Sequence, residues 1–194
     1  MISLFLDTST KYLCIGIAKD HKVIYKFQQE AIKKQSELTI PFLSKALEEV
    51  NIRLNDIDEV NVTIGPGSFT GIRIGMCIAK TLASANNIPL KAISSLNCYA
   101  SNNKEIVVLD AKAKRCYVGI YDNHVPVIDE CVMTNEDIII LKEKYQDFEF
   151  VLDAHLFGKE DVIPDSILTN MIAVEKNYDY VTNVDALVPL YLKD

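Results

Sequence analysis

Residues 2–18 read ISLFLDTSTKYLCIGIA, and residues 105–121 read EIVVLDAKAKRCYVGIY. At this offset of 103 residues, the two stretches share a Leu-Asp pair near their centre and a Gly-Ile pair near their end. Each stretch predicts a short apolar strand that ends at an aspartate, followed by a polar turn and a returning antiparallel strand. Because the matches share one register without gaps, they predict an internal duplication of the fold.

The two aspartates of this repeat, Asp7 and Asp110, have two interpretations. Each directly follows a predicted strand, so each could point its carboxylate into a cleft between two lobes, where ligands tend to bind. Alternatively, each aspartate caps its own turn by accepting a hydrogen bond from the backbone two residues further on. The sequence leaves both interpretations open.

The remaining periodicity predicts an α/β architecture. Apolar residues at helical spacing predict helices over 36–50 and 70–85, with short apolar strands between them. The second half repeats the order of strand, turn, strand, turn and strand, and then predicts a helix over 134–145. Beyond residue 155 the signals weaken and predict loops with one or two short strands.

The duplication also suggests a division into lobes. The polar turn at 102–104 is the best candidate boundary between the two copies. We therefore expect an N-terminal lobe at 1–103, which carries the two longer helices, and a shorter C-terminal lobe at 104–194.

Composition and charge narrow the class of protein. Of the 194 residues, 49% are hydrophobic and 24% are charged, which excludes disordered, collagen-like and coiled-coil classes. No apolar run reaches the ~18 residues of a membrane span, and no basic segment or cleavage site opens the sequence, so we expect a cytoplasmic protein. The net charge of -7 argues against direct binding to a phosphate backbone. Five widely spaced cysteines without a C-x-x-C pair predict free thiols.

A glycine-rich segment at 65–75, GPGSFTGIRIG, follows a predicted strand and opens a predicted helix. Free N–H groups at the start of a helix can hold an anion. However, the segment lacks the Gly-Lys-Ser/Thr of a Walker A loop, the spacing of G-x-G-x-x-G and the G-x-S-x-G of a nucleophile elbow. A tight turn with close backbone packing is the favoured interpretation, and phosphate binding is the alternative.

The helix predicted over 70–85 is apolar around its whole circumference, which is typical of a helix buried on all sides. Gly75, Ala79 and Ala83 recur at four-residue spacing, and such small residues let a second helix approach closely. We therefore predict a protein–protein interface on this helix and on the helix predicted over 36–50. Burial within a single chain is the alternative.

Candidate catalytic and metal-binding groups are few in the sequence. The histidines, His21, His124 and His155, do not pair at a metal-ligand spacing, so no metal site is predicted. No motif marks a nucleophile for a catalytic triad. The residues therefore favour a non-catalytic chain over a metalloprotease.

Two lobes that each begin with a strand, an aspartate, a turn and a strand resemble the actin-like, sugar-kinase and Hsp70 ATPase superfamily, which has a ribonuclease H-like fold. The resemblance implies a duplicated two-lobe fold, here with a shortened second lobe. It also implies that Asp7, Thr8, Ser9 and Asp110 face a nucleotide. A small-molecule kinase or ATPase of this superfamily is the alternative function.

The run GPGSFTGIRIG is similar to a motif of the TsaB (YeaZ) family, the dimerization subunits of the bacterial tRNA threonylcarbamoyladenosine complex. Further similarities are LDTST at 6–10, DAK at 110–112 and VPLYLK at 188–193, where Lys193 replaces the arginine of the family. Gln35 stands where many members have a histidine. The resemblance covers nearly the whole chain.

This resemblance implies a non-catalytic subunit that binds and activates the larger TsaD transferase, which modifies tRNA next to the anticodon. The TsaE ATPase would complete the complex, the same helices would support a homodimer, and tRNA would be contacted only indirectly. No cofactor is assigned; ATP or ADP at the subunit junction is one alternative for Asp7 and Asp110, and the other is that they are relics of a duplicated ATPase. The residues implied to face the partner are Leu38, Phe42, Leu43, Ala46, Phe69, Ile72, Arg73, Gly75, Met76, Ala79, Lys80 and Ala83.

Overall fold

The computed structural model describes residues 1–192, which form two β-sheets whose four equivalent strands have the same order. The first sheet has the order β3-β2-β1-β4-β5 and contains β1 (Ile2–Asp7), β2 (Tyr12–Lys19), β3 (Lys22–Glu30), β4 (Glu59–Thr63) and β5 (Leu90–Ile93). The second has the order β8-β7-β6-β9 and contains β6 (Lys104–Lys112), β7 (Arg115–Asp122), β8 (Val125–Thr134) and β9 (Glu149–Leu152).

The two sheets confirm the duplication and the shortened second copy. β2 and β7 have bounds that differ by the predicted offset of 103 residues, and β1 and β6 each pair antiparallel with the following strand. β4 and β9 each add in parallel to the first strand of their copy. Within the described residues, the second sheet has no strand in the position that β5 occupies in the first.

The hairpin turns of the two copies have the same backbone conformation. The turn between β2 and β3 is formed by Asp20 and His21, at φ 50° and 61°, and the turn between β7 and β8 by Asn123 and His124, at φ 53° and 64°. Two consecutive residues of positive φ suit the twist of a tight hairpin, and Asn and Asp tolerate that conformation. Because both turns have two residues, the strands that follow them keep the offset of 103 residues between the copies.

Helices connect and cover the sheets. They are α1 (Gln35–Glu49), α2 (Phe69–Asn86), α3 (Ser95–Tyr99), α4 (Asn135–Lys144) and α5 (Ile167–Val174). Side-chain caps start three of them: Ser68 accepts from the Gly71 N–H, Thr134 from the Asp137 N–H and Ser166 from the Thr169 N–H. None of the described helices is long and apolar enough to cross a membrane.

α5 corrects the prediction for the region beyond residue 155, where only loops and short strands were expected. Its eight residues are ILTNMIAV, of which Ile167, Leu168, Met171 and Val174 are fully buried. α3 and α5 pack against each other and against both sheets, in a core cluster that contains residues of β1 and β7. The short helices α3 and α5 therefore form the hydrophobic contact between the two copies.

The small residues of α2 face the chain's own first sheet. Ala79 and Ala83 are buried in the core of that sheet, and a Cβ added at Gly75 would lie 2.5 Å from Thr8 Oγ1. Gly75 permits a close approach to Thr8 in the turn after β1, and Ala79 and Ala83 share a core cluster with Leu43 and Ala46 of α1. The partner interface predicted on this helix stays a prediction. Burial within the single chain accounts for this face of α2, whereas Arg73 and Cys77 on its other face are exposed.

The last described residues return to the first sheet. Val181, Val184 and Leu187 pack against the core of that sheet, and the Leu190 N–H donates to the Ile64 carbonyl at 2.8 Å. Lys80 donates from its ammonium to two carbonyls of the same segment, at 2.9 and 3.0 Å. The lobe boundary at residue 103 stays a prediction, and Lys193 lies outside the described residues.

We predict that Ala79→Arg unfolds the chain and does not merely disrupt an interface. Ala79 has no exposed surface, so the guanidinium would be buried without a partner, at a cost of roughly 3 kcal/mol or more. Urea denaturation followed by circular dichroism measures the effect. Ser84→Arg, at an exposed position of the same helix, is the matched control and should change stability by less than about 0.5 kcal/mol. Equal stability of the two variants would contradict the packing described here.

Candidate interface helices and inter-sheet groove

An open groove of about 790 Å³ lies where the first strands of the two copies end. Its walls are residues 9–11 after β1, residues 67–71 at the start of α2, residues 109–112 at the end of β6, and the side chains of Asp153 and His155. The duplicated topology therefore brings the two predicted turn regions to one groove.

Asp7 does not present its carboxylate to this groove. It is fully buried, and its Oδ1 accepts hydrogen bonds from the Ser9 N–H (2.9 Å), the Ser9 hydroxyl (2.6 Å) and the Thr63 hydroxyl (2.7 Å). The Tyr99 hydroxyl donates to Oδ2 at 3.1 Å. Of the two interpretations, turn capping describes this aspartate, extended by contacts to β4 and α3.

Tyr99 stays a donor to Asp7 at any physiological pH. Burial, and then the negative charge of Asp7, raise the pKa of Tyr99 well above its ordinary value. The Thr10 hydroxyl, 2.5 Å from the Tyr99 oxygen, completes the chain of hydrogen bonds, because the Tyr12 N–H donates to Thr10 Oγ1 in turn. All the partners in this hydrogen-bond network are groups of the protein itself.

Thr8 and Ser9, which were expected to face a nucleotide, hold the start of α2. The Thr8 hydroxyl donates to the Gly71 carbonyl at 2.7 Å, and the Ser68 N–H donates to the Ser9 carbonyl at 2.7 Å. The carbonyl oxygens of Thr8 and Ser9 lie where a Cβ would stand on Gly71 and Gly67, so larger residues do not fit. Close backbone packing therefore accounts for these two glycines.

Asp110 occupies the position equivalent to Asp7 but lies on the groove wall. Lys112 donates to it twice, from its backbone N–H to Oδ1 at 2.8 Å and from its ammonium to Oδ2 at 2.5 Å. Burial acts to raise the pKa of Asp110, but the hydrogen bonds and charge of Lys112 outweigh it and leave the pKa below its ordinary value. This carboxylate is accessible, with its charge balanced by a lysine.

The other end of the groove brings together residues that the sequence did not single out as a group. His155 Nδ1 lies 2.7 Å from Asp161 Oδ1, and Lys11 donates to Asp161 Oδ2 at 3.3 Å. Asp153 accepts from the Asp110 N–H at 2.9 Å. Asp153, His155 and Asp161 lie on a short 3-10 turn (Ala154–Phe157) and the segments that flank it, which are too short to show a periodicity in the sequence.

Most of the residues predicted to face a partner lie inside the chain. Seven of the predicted interface residues are buried, because α1 and α2 both pack on the first sheet: Leu43, Ala46, Ile72, Gly75, Met76, Ala79 and Ala83. Leu38, Phe42 and Lys80 are half-buried, and only Phe69 and Arg73 are exposed. Accessible apolar residues of these helices that the prediction missed are Ile40, Ile74, Cys77 and Ile78.

An aromatic and arginine cluster marks the exposed start of α2. The Arg73 guanidinium lies 3.7 Å from the centre of the Phe69 ring, and the Tyr191 ring stacks on Phe69 at 6.0 Å between centroids. Arg73 also donates to the Tyr191 hydroxyl at 3.3 Å. Because aromatic residues and arginine dominate binding energies at protein interfaces, this preformed cluster is suited to act as an anchor.

Gln35 connects α1 to the turn after β1. Its side-chain amide donates to the Thr10 carbonyl at 2.9 Å, and the residue is buried. The start of α1 is therefore fixed to the same turn that binds the start of α2. This contact gives the glutamine a structural role at this position.

Comparison with known proteins places the chain in a class. Residues 27–158 match the family described as "TsaD: tRNA N6-adenosine threonylcarbamoyltransferase". The chain is 33% identical over 156 residues to the tRNA threonylcarbamoyladenosine biosynthesis protein TsaB of Bacillus subtilis, over 74% of this chain and 67% of that protein. It is 35% identical over 127 residues to the TsaB protein of Buchnera aphidicola from Schizaphis graminum, over 62% of this chain and 60% of that protein.

The fold agrees with these relationships. YeaZ from Pseudomonas aeruginosa superimposes with a TM-score of 0.82, covering 98% of this chain and 99% of that structure at 19% identity. The chain therefore has the duplicated α/β fold of the threonylcarbamoyltransferase class. Within that class it belongs to the TsaB (YeaZ) family.

We predict that Asp7→Asn destabilises the chain by about 3 kcal/mol. The amide nitrogen would face hydroxyl or N–H donors in a buried site, which leaves donors unpaired. Urea denaturation measures the change. Asp110→Asn, at the half-exposed equivalent position, is the control and should change stability by no more than about 1 kcal/mol. A destabilisation of Asp110→Asn as large as that of Asp7→Asn would contradict the structural role assigned to Asp7.

Proposed function

We propose that this chain is a non-catalytic subunit in the biosynthesis of threonylcarbamoyladenosine on tRNA, where it binds and activates the TsaD transferase. Its similarity to the TsaB proteins of Bacillus subtilis and Buchnera aphidicola carries the proposal and supports a role in this tRNA modification. TsaE is the further partner in the proposed complex. Because the net charge is -7, contact with tRNA is assigned to the partners.

The arrangement of the paired aspartates supports this role over that of an ATPase or small-molecule kinase. A phosphoryl-transfer site needs charged groups directed at the phosphates and their metal. Asp7 instead accepts four hydrogen bonds inside the protein, and Asp110 is paired with Lys112. The carboxylate of Asp7, which would face the phosphates in the first copy, instead stabilises the fold.

The accessible surface of α1 and α2 supports docking of TsaD. Ile40 and Phe69 expose 51% and 56% of their surface, and Cys77 is exposed between the half-buried Ile74 and Ile78. Apolar side chains on two neighbouring helices provide an area whose burial favours association. The same surface is proposed to form a homodimer when TsaD is absent.

We predict that Cys77→Arg and Ile40→Arg abolish co-purification with TsaD and lower tRNA modification at least tenfold. Each substitution places a charge in the proposed interface at an accessible position, so the fold should be retained. Modification is measured by the content of threonylcarbamoyladenosine in tRNA incubated with TsaD, TsaE and each variant.

Ile139→Arg on α4 is the matched control, because Ile139 is 56% exposed and lies in the second copy. It should bind TsaD and support modification as the unaltered chain does. Loss of binding in the control, or full activity in both interface variants, would refute docking through α1 and α2. Light scattering of the isolated variants tests the homodimer in the same way.

A further inference from the structure

The segment that follows β9 assembles three side chains with metal-binding atoms beside the groove. Asp153, His155 and Asp161 each offer one ligand atom, and these atoms lie within 4.8 Å of one another. Metal ligands at about 2 Å from a shared ion are roughly 3 Å apart, so small side-chain rotations would bring the three together. His155 and Asp161 are accessible from solvent, which provides an entry path.

The backbone holds this segment in a defined loop. The Leu152 N–H donates to the Val162 carbonyl at 2.8 Å and closes the loop at its base. The Asp153 N–H donates to the Val108 carbonyl at 3.0 Å, and the His155 N–H donates to Asp161 Oδ1 at 2.9 Å. The three side chains are therefore positioned by contacts that do not depend on a ligand.

Asp153 is the most buried of the three side chains. It exposes only 9% of its surface and lines the groove, and its Oδ2 accepts one hydrogen bond, from the Asp110 N–H. A buried carboxylate is costly unless it is paired with positive charge or coordinates a metal. The positive charges of Lys11 and Lys112 also act on Asp153, and the neighbouring carboxylate of Asp110 is balanced by Lys112.

We propose that Asp153, His155 and Asp161 bind one divalent transition-metal ion, of the class of Mn²⁺ or Zn²⁺. Carboxylate oxygens suit Mn²⁺, and an imidazole ligand adds affinity for first-row transition metals over Mg²⁺. Water molecules would supply the remaining ligands. This site is independent of the proposed docking surface on α1 and α2.

Lys11 competes with the metal for Asp161. Its ammonium lies 3.3 Å from Asp161 Oδ2, so part of the charge that a metal would supply is already present. Removing this ammonium while keeping the aliphatic stem, as in Lys11→Met, should strengthen metal binding several-fold. The opposite effects of Lys11→Met and of a ligand variant make the site testable by two independent changes.

The experiment titrates MnCl2 into the full chain and measures free Mn²⁺ by electron paramagnetic resonance. We expect one saturable site, at least tenfold weaker binding in His155→Gln and tighter binding in Lys11→Met. His21→Gln is the matched control, because His21 is also exposed and also pairs with a carboxylate, Glu175, at 2.9 Å. It should bind Mn²⁺ as the unaltered chain does, and thermal melts establish that each variant is folded.

A second titration uses ZnCl2 on the Cys77→Ser background, which removes the exposed thiol. Saturable binding of either ion that depends on His155 supports the site. The proposal is overturned if neither ion binds saturably, or if folded His155→Gln binds both ions with unchanged affinity.

Discussion

The buried carboxylate of Asp7 ties together parts of the chain that are distant in sequence. It ends β1, accepts from Ser9 in the following turn, from Thr63 at the end of β4 and from Tyr99 in α3. A buried charge is stable only with such a full set of donors, so all of these elements are fixed relative to one another. The turn held in this way positions the start of α1 through Gln35, and the start of α2 through the Thr8 hydroxyl and the Ser9 carbonyl.

The internal duplication could be predicted from sequence because strands and tight turns are marked by local patterns of residues. Apolar runs, an aspartate after each first strand and tight turns of equal length predicted the succession of strands and turns along both copies in one register. The order of the strands within each sheet came from the structure. The two equivalent aspartates nevertheless have different surroundings. Asp7 is enclosed by hydroxyl groups, whereas Asp110 meets Lys112 at the groove. The local sequence supplies Ser9 or Lys112 two places after the aspartate, but the further donors to Asp7, Thr63 and Tyr99, lie far away in sequence.

The errors came from tertiary contacts that periodicity does not encode. The pattern of α2 indicated that both faces are apolar, but not that its small residues face Thr8 and the sheet while Cys77 faces solvent. α5 was missed because eight residues, most of them apolar, are too few to establish a helical periodicity. His155 and Asp161 were not connected because they meet across an irregular loop. In each case the deciding partner lies far away in sequence or in a segment without regular spacing.

The return of the last residues to the first sheet has a consequence for how the chain is made. Val181, Val184 and Leu187 complete a hydrophobic core whose other members are synthesised first, in the N-terminal half. While the ribosome translates the second copy, which at typical rates takes several seconds, that core has apolar surface still open to water. The first sheet can pair its strands early, but its core is complete only when residues 181–187 have been synthesised. Until then, the nascent N-terminal half keeps part of its apolar core surface exposed to water.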